Sequence, residues 1–210
     1  KSVAVGKTLL DADYKTVITQ PRIMAARSLA EFVSEIIEGE SVGGRVGYRS
    51  SLERKDSKDT QLRYVTDGLQ LVRELFRNAG KRDIIILDEI HEWNINMEVL
   101  AAWIKNEIKN RATFKVVIMS ATMDTVKLSE FFTLGGKKAP IIHVDGRLYN
   151  VEEVERGREI EDDVARLVKE GRNVLVFQPG KREIQSTINK LRLRKVDAEI
   201  IPLHGELSPG

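Results

Sequence analysis

The sequence predicts an α/β fold with a parallel sheet. Short apolar runs rich in β-branched residues alternate with amphipathic helical stretches. The runs at 16–19 (TVIT), 83–87 (DIIIL), 115–119 (KVVIM) and 173–177 (NVLVF) are apolar on consecutive residues, as in strands covered on both faces. The third observation is compositional. The 210 residues carry 34 Lys and Arg against 32 Asp and Glu, and no Cys. That excludes a disulfide scaffold, a zinc–cysteine site and thiol catalysis. No apolar run reaches the ~18 residues of a membrane span, and the balance is that of an intracellular globular protein. A net charge of +2 neither demands nor excludes nucleic acid.

The elements follow in order. Ser2–Val5 is a small apolar segment that reads as a strand before Gly6-Lys7-Thr8. After strand 16–19, residues 23–37 place Met24, Leu29, Phe32, Val33 and Ile36 on one helical stripe. Residues 49–58 are polar and of mixed charge, a loop or hairpin. A second stripe runs through Met97, Leu100, Ala101, Ile104 and Ile108, and helical patterns recur at 162–169 and 183–193. Gly, Lys and Pro cluster at 135–147, where helical periodicity stops. The expected division is a first domain over 1–145 and a second over 146–210.

Three segments carry chemistry. The run DIIIL ends in Asp88, Glu89 and His91, and open α/β sheets bind ligands beyond the carboxyl ends of their strands. One carboxylate for a magnesium ion and a neighbour for a water suit nucleotide hydrolysis. A lone Asp-Glu pair is more often a solvated strand end. Gly6-Lys7-Thr8 supplies the end of a phosphate loop, but the pattern G-x-x-x-x-G-K-[ST] puts its first Gly at Lys1. The expectation is that loop residues belong between Val5 and Gly6, and part of a helix between Thr8 and Asp13. Ser120-Ala121-Thr122 follows the run KVVIM; its hydroxyls either bridge toward His91 or cap the helix after Met123. Trp93 and Trp103 could stack bases, though apolar neighbours favour core packing. The cations of 190–195 (KLRLRK) read as a solvated helix face paired with Glu.

Together these segments resemble the DEAH-box helicases of superfamily 2, the DEAH/RHA group. In family order, Gly6-Lys7-Thr8 resembles motif I, Thr19-Gln20-Pro21-Arg22 with Ala25-Ala26 motif Ia, and Val65-Thr66-Asp67-Gly68 motif Ib. Asp88-Glu89-Ile90-His91 resembles motif II with Ile where Ala is usual, and Ser120 to Asp124 motif III. Residues 144–151 (VDGRLYNV) resemble the start of the family's second domain, 175–183 motif IV, and Leu203-His204-Gly205 the element after it.

The resemblance implies two RecA-like domains with ATP and Mg²⁺ between them. Lys7 would meet the β/γ-phosphates, and Thr8 and Asp88 the Mg²⁺. Glu89 would orient the attacking water, and His91 would couple the nucleotide site to Ser120 and Thr122. Thr19, Arg22, Thr66 and Asp67 would lie on the nucleic-acid face; Ile23 departs from the usual second Arg. The implied activity is ATP-dependent unwinding or remodelling of RNA in an intracellular, non-membrane setting. Motifs V and VI have no counterpart in these residues, so they are expected to be weakly active alone. A DNA-directed helicase and a non-hydrolysing nucleic-acid or partner-binding module are the alternatives.

Overall fold

The computed structural model describes residues 1–110, 112–121, 125–144, 150–153 and 159–205. The chain divides into two units, Lys1–Val144 and Asp145–Gly210. The first holds a six-stranded sheet in the order β3-β2-β4-β1-β5-β6. Its strands are β1 (Thr16–Gln20), β2 (Val46–Arg49), β3 (Arg54–Lys55), β4 (Leu62–Thr66), β5 (Ile84–Leu87) and β6 (Lys115–Ile118). All neighbours pair in parallel except β2 and β3, the hairpin expected near residues 49–58.

Helices α1 (Ser2–Asp11) and α2 (Ile23–Glu31) contribute to one core, and α3 (Asp67–Leu75) and α4 (Ile95–Lys109) to the other. Strand alternation explains the division. Ile84 and Ile86 join Leu10, Ile18, Ala26, Leu62 and Tyr64, while Ile85 and Leu87 join Leu71, Met97, Leu100 and Ile104. A further helix, α5 (Thr125–Phe131), follows β6.

Three local expectations are corrected. Ser2–Val5 is the first turn of α1, not a strand. Its β-branched residues look strand-like, but Val3, Gly6 and Leu10 fall at helical spacing and pack toward the sheet. In the 23–37 stripe, Met24, Phe32 and Ile36 are exposed, and Ala26, Ala30 and Val33 form the buried face. A π-helical turn over Phe32–Ile37 shifts the register there. Residues 173–177 do not form a strand, and Leu175 and Phe177 are exposed. Among the described residues of the second unit no strand is present to pair with them, and backbone ladders need a neighbour.

The second unit is organised by α6 (Ile160–Lys169) and α7 (Lys181–Leu193), with Val164, Ile188 and Leu191 buried. Lys190 pairs with Glu161 at 3.2 Å and Arg194 with Glu159 at 2.7 Å, the acidic pairing expected for the 190–195 cations.

Gly47 fixes how closely the hairpin folds over β2. A Cβ there would lie 2.5 Å from the Lys55 carbonyl oxygen and 2.9 Å from the Asp56 Cβ. Gly47→Ala is expected to destabilise the first unit by about 1–3 kcal/mol, because backbone cannot give way as a side-chain tip can. A urea melt followed by circular dichroism measures it.

Candidate active site

The parallel register builds the site. Thr19 lies beside Leu87, and Leu87 beside Ile118. The residues that follow, Gln20, Asp88 and Met119-Ser120, therefore reach the carboxyl edge of the sheet next to one another. The N-terminus of α1 comes to the same edge. Asp88 is 2% exposed, and its carboxylate is bonded on every side. One oxygen accepts from Gln20 Nε2 at 2.6 Å and from the Ser2 hydroxyl; the other accepts from the Glu89 N–H at 2.9 Å. Lys1 Nζ donates to the Ser120 carbonyl at 2.7 Å.

Tyr64 fixes Ser2 from below, its hydroxyl donating to the Ser2 carbonyl at 3.3 Å. Burial, and then the charge of Asp88, push the Tyr64 pKa up, so the hydroxyl stays a donor.

Glu89 adopts a left-handed backbone, φ 53° and ψ 37°. For a residue with a Cβ this costs of order 1–3 kcal/mol, a strain typical of functional sites. It turns the chain into a short 3₁₀ turn, Ile90–Glu92, whose buried Ile90 donates its N–H to the Met119 carbonyl at 3.3 Å. The link from the β5 end to the β6 end therefore runs through backbone. The Glu89 side chain is 41% exposed, with Oε2 3.3 Å from His91 Nδ1. That approach lacks hydrogen-bond geometry, so among the described residues His91 Nδ1 is buried without a hydrogen bond, as is Ser120 Oγ.

No family model matches the chain. The Escherichia coli ATP-dependent RNA helicase HrpA is 36% identical over 208 residues, 90% of this chain and 16% of the relative. The Drosophila melanogaster ATP-dependent RNA helicase DHX33 is 33% identical over 217 residues, 92% of this chain and 30% of the relative. The crystal structure of the Escherichia coli DEAH/RHA helicase HrpB superposes with a TM-score of 0.77 at 29% identity, covering 99% of this chain and 28% of that one. The chain is a homologue of the DEAH-box helicases. It spans from under a fifth to about a third of the length of these relatives.

In this DEAH-box homologue the motif I residues stand elsewhere than the sequence suggests. The i→i−4 ladder of α1 runs from Val5 N–H to Lys1 O at 3.0 Å through Ala12 N–H to Thr8 O at 3.1 Å. No loop interrupts Gly6-Lys7-Thr8, and no inserted residues are called for. Gly6 is buried, and a Cβ there would sit 2.9 Å from the Tyr64 hydroxyl, so its role is close packing on the sheet. Lys7 pairs with Asp11 and, at 3.2 Å, with Glu38; Asp11 first and then Glu38 raise its pKa. The Thr8 hydroxyl donates to the Ala4 carbonyl at 2.9 Å. Thr8 lies six residues beyond Ser2, about 9 Å along the helix. Lys1 and Ser2 also match the closing K-[ST] of the phosphate-loop pattern, and it is they that meet Asp88 and Ser120. The sequence signal was there: a K-S pair followed at once by helical apolar spacing.

The predicted nucleic-acid residues separate. Arg22 is exposed and pairs with Glu92 at 3.3 Å. Thr19 is fully buried, its hydroxyl donating to the Ile86 carbonyl at 3.3 Å, so it is enclosed rather than presented to a ligand. Thr66 is 9% exposed and immediately precedes α3. Asp67 is buried and spends both oxygens internally, accepting from the Gly68 N–H and from Asn94 Nδ2, each at 2.6 Å. Asn94 in turn caps α4 by accepting from the Met97 N–H at 3.1 Å. Asp67 thus pins two helix starts together. Thr122 lies outside the described residues. Trp103 stacks on Phe114, centroids 6.4 Å apart, as expected of a core residue; Trp93 instead stands 44% exposed after the 3₁₀ turn. Tyr64 and Asn94 are supporting residues that pattern reasoning missed, and Gln20, named only within the motif Ia resemblance, supports Asp88.

Proposed function

We propose that the full-length protein is an ATP-dependent RNA helicase and that residues 1–145 carry its first RecA-like domain, with 146–210 opening the second. The observation that carries the reading is the meeting of the Ser2 hydroxyl with the Asp88 carboxylate at the strand end where Glu89 stands half exposed. A hydroxyl and a carboxylate are hard oxygen donors, the set that suits Mg²⁺ when phosphates supply further ligands. Lys1 serves the β/γ-phosphates, its ammonium exchanging the Ser120 carbonyl for a phosphate oxygen. Bound Mg²⁺ would neutralise charge on those phosphates. Glu89 orients the water, and His91 and Ser120 bring polar atoms to the same strand-end cluster.

Arg22 lies on the nucleic-acid path, and Thr66 lines it through backbone at the start of α3. RNA is favoured over DNA because the relatives are named RNA helicases. No helix among the described residues is long and apolar enough to cross a membrane. The test is ATP hydrolysis by the full-length protein with and without single-stranded RNA or DNA. Hydrolysis stimulated more by RNA is expected; hydrolysis indifferent to both nucleic acids overturns the reading.

A further inference from the structure

Helix α3 carries its polarity inverted. Its buried residues are Asp67, Gln70, Leu71 and Glu74, of which only Leu71 is apolar. Its other side shows Val72, Leu75 and Phe76 to solvent, 47%, 56% and 76% exposed. Their spacing of i, i+3 and i+4 sets them on one stripe. A surface helix ordinarily does the reverse. A contiguous apolar stripe left in water marks a contact with another molecule.

The helix end that presents the stripe is firmly built. The Asn78 N–H donates to the Arg73 carbonyl at 2.9 Å and the Arg77 N–H to the Glu74 carbonyl at 3.0 Å. Arg77 stands at φ 53°, in the left-handed position that glycine usually fills after a helix. Arg73 Nη2 donates to the carbonyls of Asn78 at 2.8 Å and Ala79 at 3.3 Å, and Ala79 is buried. Beneath the loop Arg82 pairs with Glu74 at 2.8 Å, both side chains nearly enclosed, and its guanidinium lies 4.2 Å from the Phe114 ring centre. The charge of the segment is one-sided. Residues 72–82 (VRELFRNAGKR) hold four cations and one acid, and that acid, Glu74, is spent on Arg82. Arg77 and Lys81 are exposed and, among the described residues, without an ion-pair partner. The surface also lies away from the candidate active site. Thr66 enters α3 from the carboxyl end of β4, whereas Asp83 leads into the amino end of β5.

We propose that Val72, Leu75 and Phe76, with Arg77 and Lys81 beside them, form a docking surface for an acidic amphipathic helix of a partner protein. The partner's apolar side chains cover the stripe, with Phe76 as the central anchor. Its carboxylates meet Arg77 and Lys81, the two cations that no acid of the segment answers. A nucleic acid would satisfy those cations but leave Val72 and Leu75 bare. Because the surface is remote from Asp88 and Glu89, the partner and a nucleotide bind without competing, and the proposal stands whatever reaction that site performs.

The probe is a fluorescein-labelled helical peptide with Leu and Phe along one stripe and Glu on both flanks. It is titrated with the full-length protein and followed by anisotropy, beside a counterpart with Lys in place of each Glu. The acidic peptide is expected to bind and the basic one not to. Phe76→Ser is expected to weaken binding by about tenfold or more, as loss of a central aromatic anchor does. Lys81→Glu is expected to weaken it several-fold at low salt and little at high salt, as loss of an exposed charge at the rim does. Both positions are exposed, so the changes spare the fold, and circular dichroism checks this. No binding of the acidic peptide, equal binding of the two peptides, or affinity unchanged in both variants overturns the proposal. Single-stranded oligo(U) RNA that displaces the peptide and itself binds more weakly to both variants gives the surface to nucleic acid and overturns it. Self-association of the parent that Phe76→Ser abolishes, read by sedimentation, gives the stripe to a second copy and also overturns it.

Discussion

Glu89→Gln in the full-length protein is expected to lower the rate of ATP hydrolysis by about 10²–10⁴ while leaving ATP binding intact. That range corresponds to about 2.7–5.4 kcal/mol of transition-state stabilisation. The substitution keeps size and shape and removes only the charge that can accept a hydrogen bond from an attacking water. Asp88 stays in place, because its partners are Gln20, Ser2 and the backbone N–H of residue 89. The left-handed backbone at 89 is equally open to Gln, so the turn into Ile90 survives. Single-turnover hydrolysis and equilibrium binding of a fluorescent ATP analogue read the two effects separately. Unchanged hydrolysis would overturn the role given to Glu89, whereas no hydrolysis by the parent would remove the enzyme reading and leave a non-hydrolysing binding module.

What the sequence made legible follows from how each element hides its surface. β5 stood out because Ile84 to Leu87 are apolar in succession and both faces are covered. The α4 stripe was read correctly because Met97, Leu100, Ala101 and Ile104 recur at helical spacing, all at most 2% exposed. β2 and β4 were missed because Arg49 and Arg63 interrupt their apolar pattern. Those charges are tolerated because Asp56, directly after β3, reaches both at 2.6 Å.

α3 was missed for a related reason. Its buried face includes Gln70 and Glu74, and Glu74 is satisfied by Arg82 at 2.8 Å and by Gln70 at 2.5 Å. A hydrophobicity pattern cannot see a face whose burial depends on a partner several residues beyond the helix. The site divides the same way. Asp88 and Glu89 were legible as the end of an apolar strand, whereas Gln20 and Tyr64 act through neighbouring strands whose register only the fold supplies.

The placement of motif I gives the sharpest contrast between sequence and structure, because each predicts a different lysine. If the tripeptide Gly6-Lys7-Thr8 binds phosphate, Lys7→Ala should disable hydrolysis. The helix argues otherwise. Lys7 is committed to Asp11 and Glu38 on the flank of α1, so its loss should leave hydrolysis within experimental scatter. Lys1→Ala should instead cost about 10²–10³ in rate, the effect of removing one pre-placed charge stabiliser from an active site. Ser2→Ala should show a different signature. It deprives Asp88 of its hydroxyl partner and, at the proposed site, would deprive a bound Mg²⁺ of one oxygen donor, so activity should recover in part as Mg²⁺ is raised, which Lys1→Ala should not do. Thermal melts of all three variants separate loss of fold from loss of chemistry. Equal loss in Lys7→Ala and Lys1→Ala with unchanged melts would return the phosphate site to the tripeptide and contradict the geometry of α1.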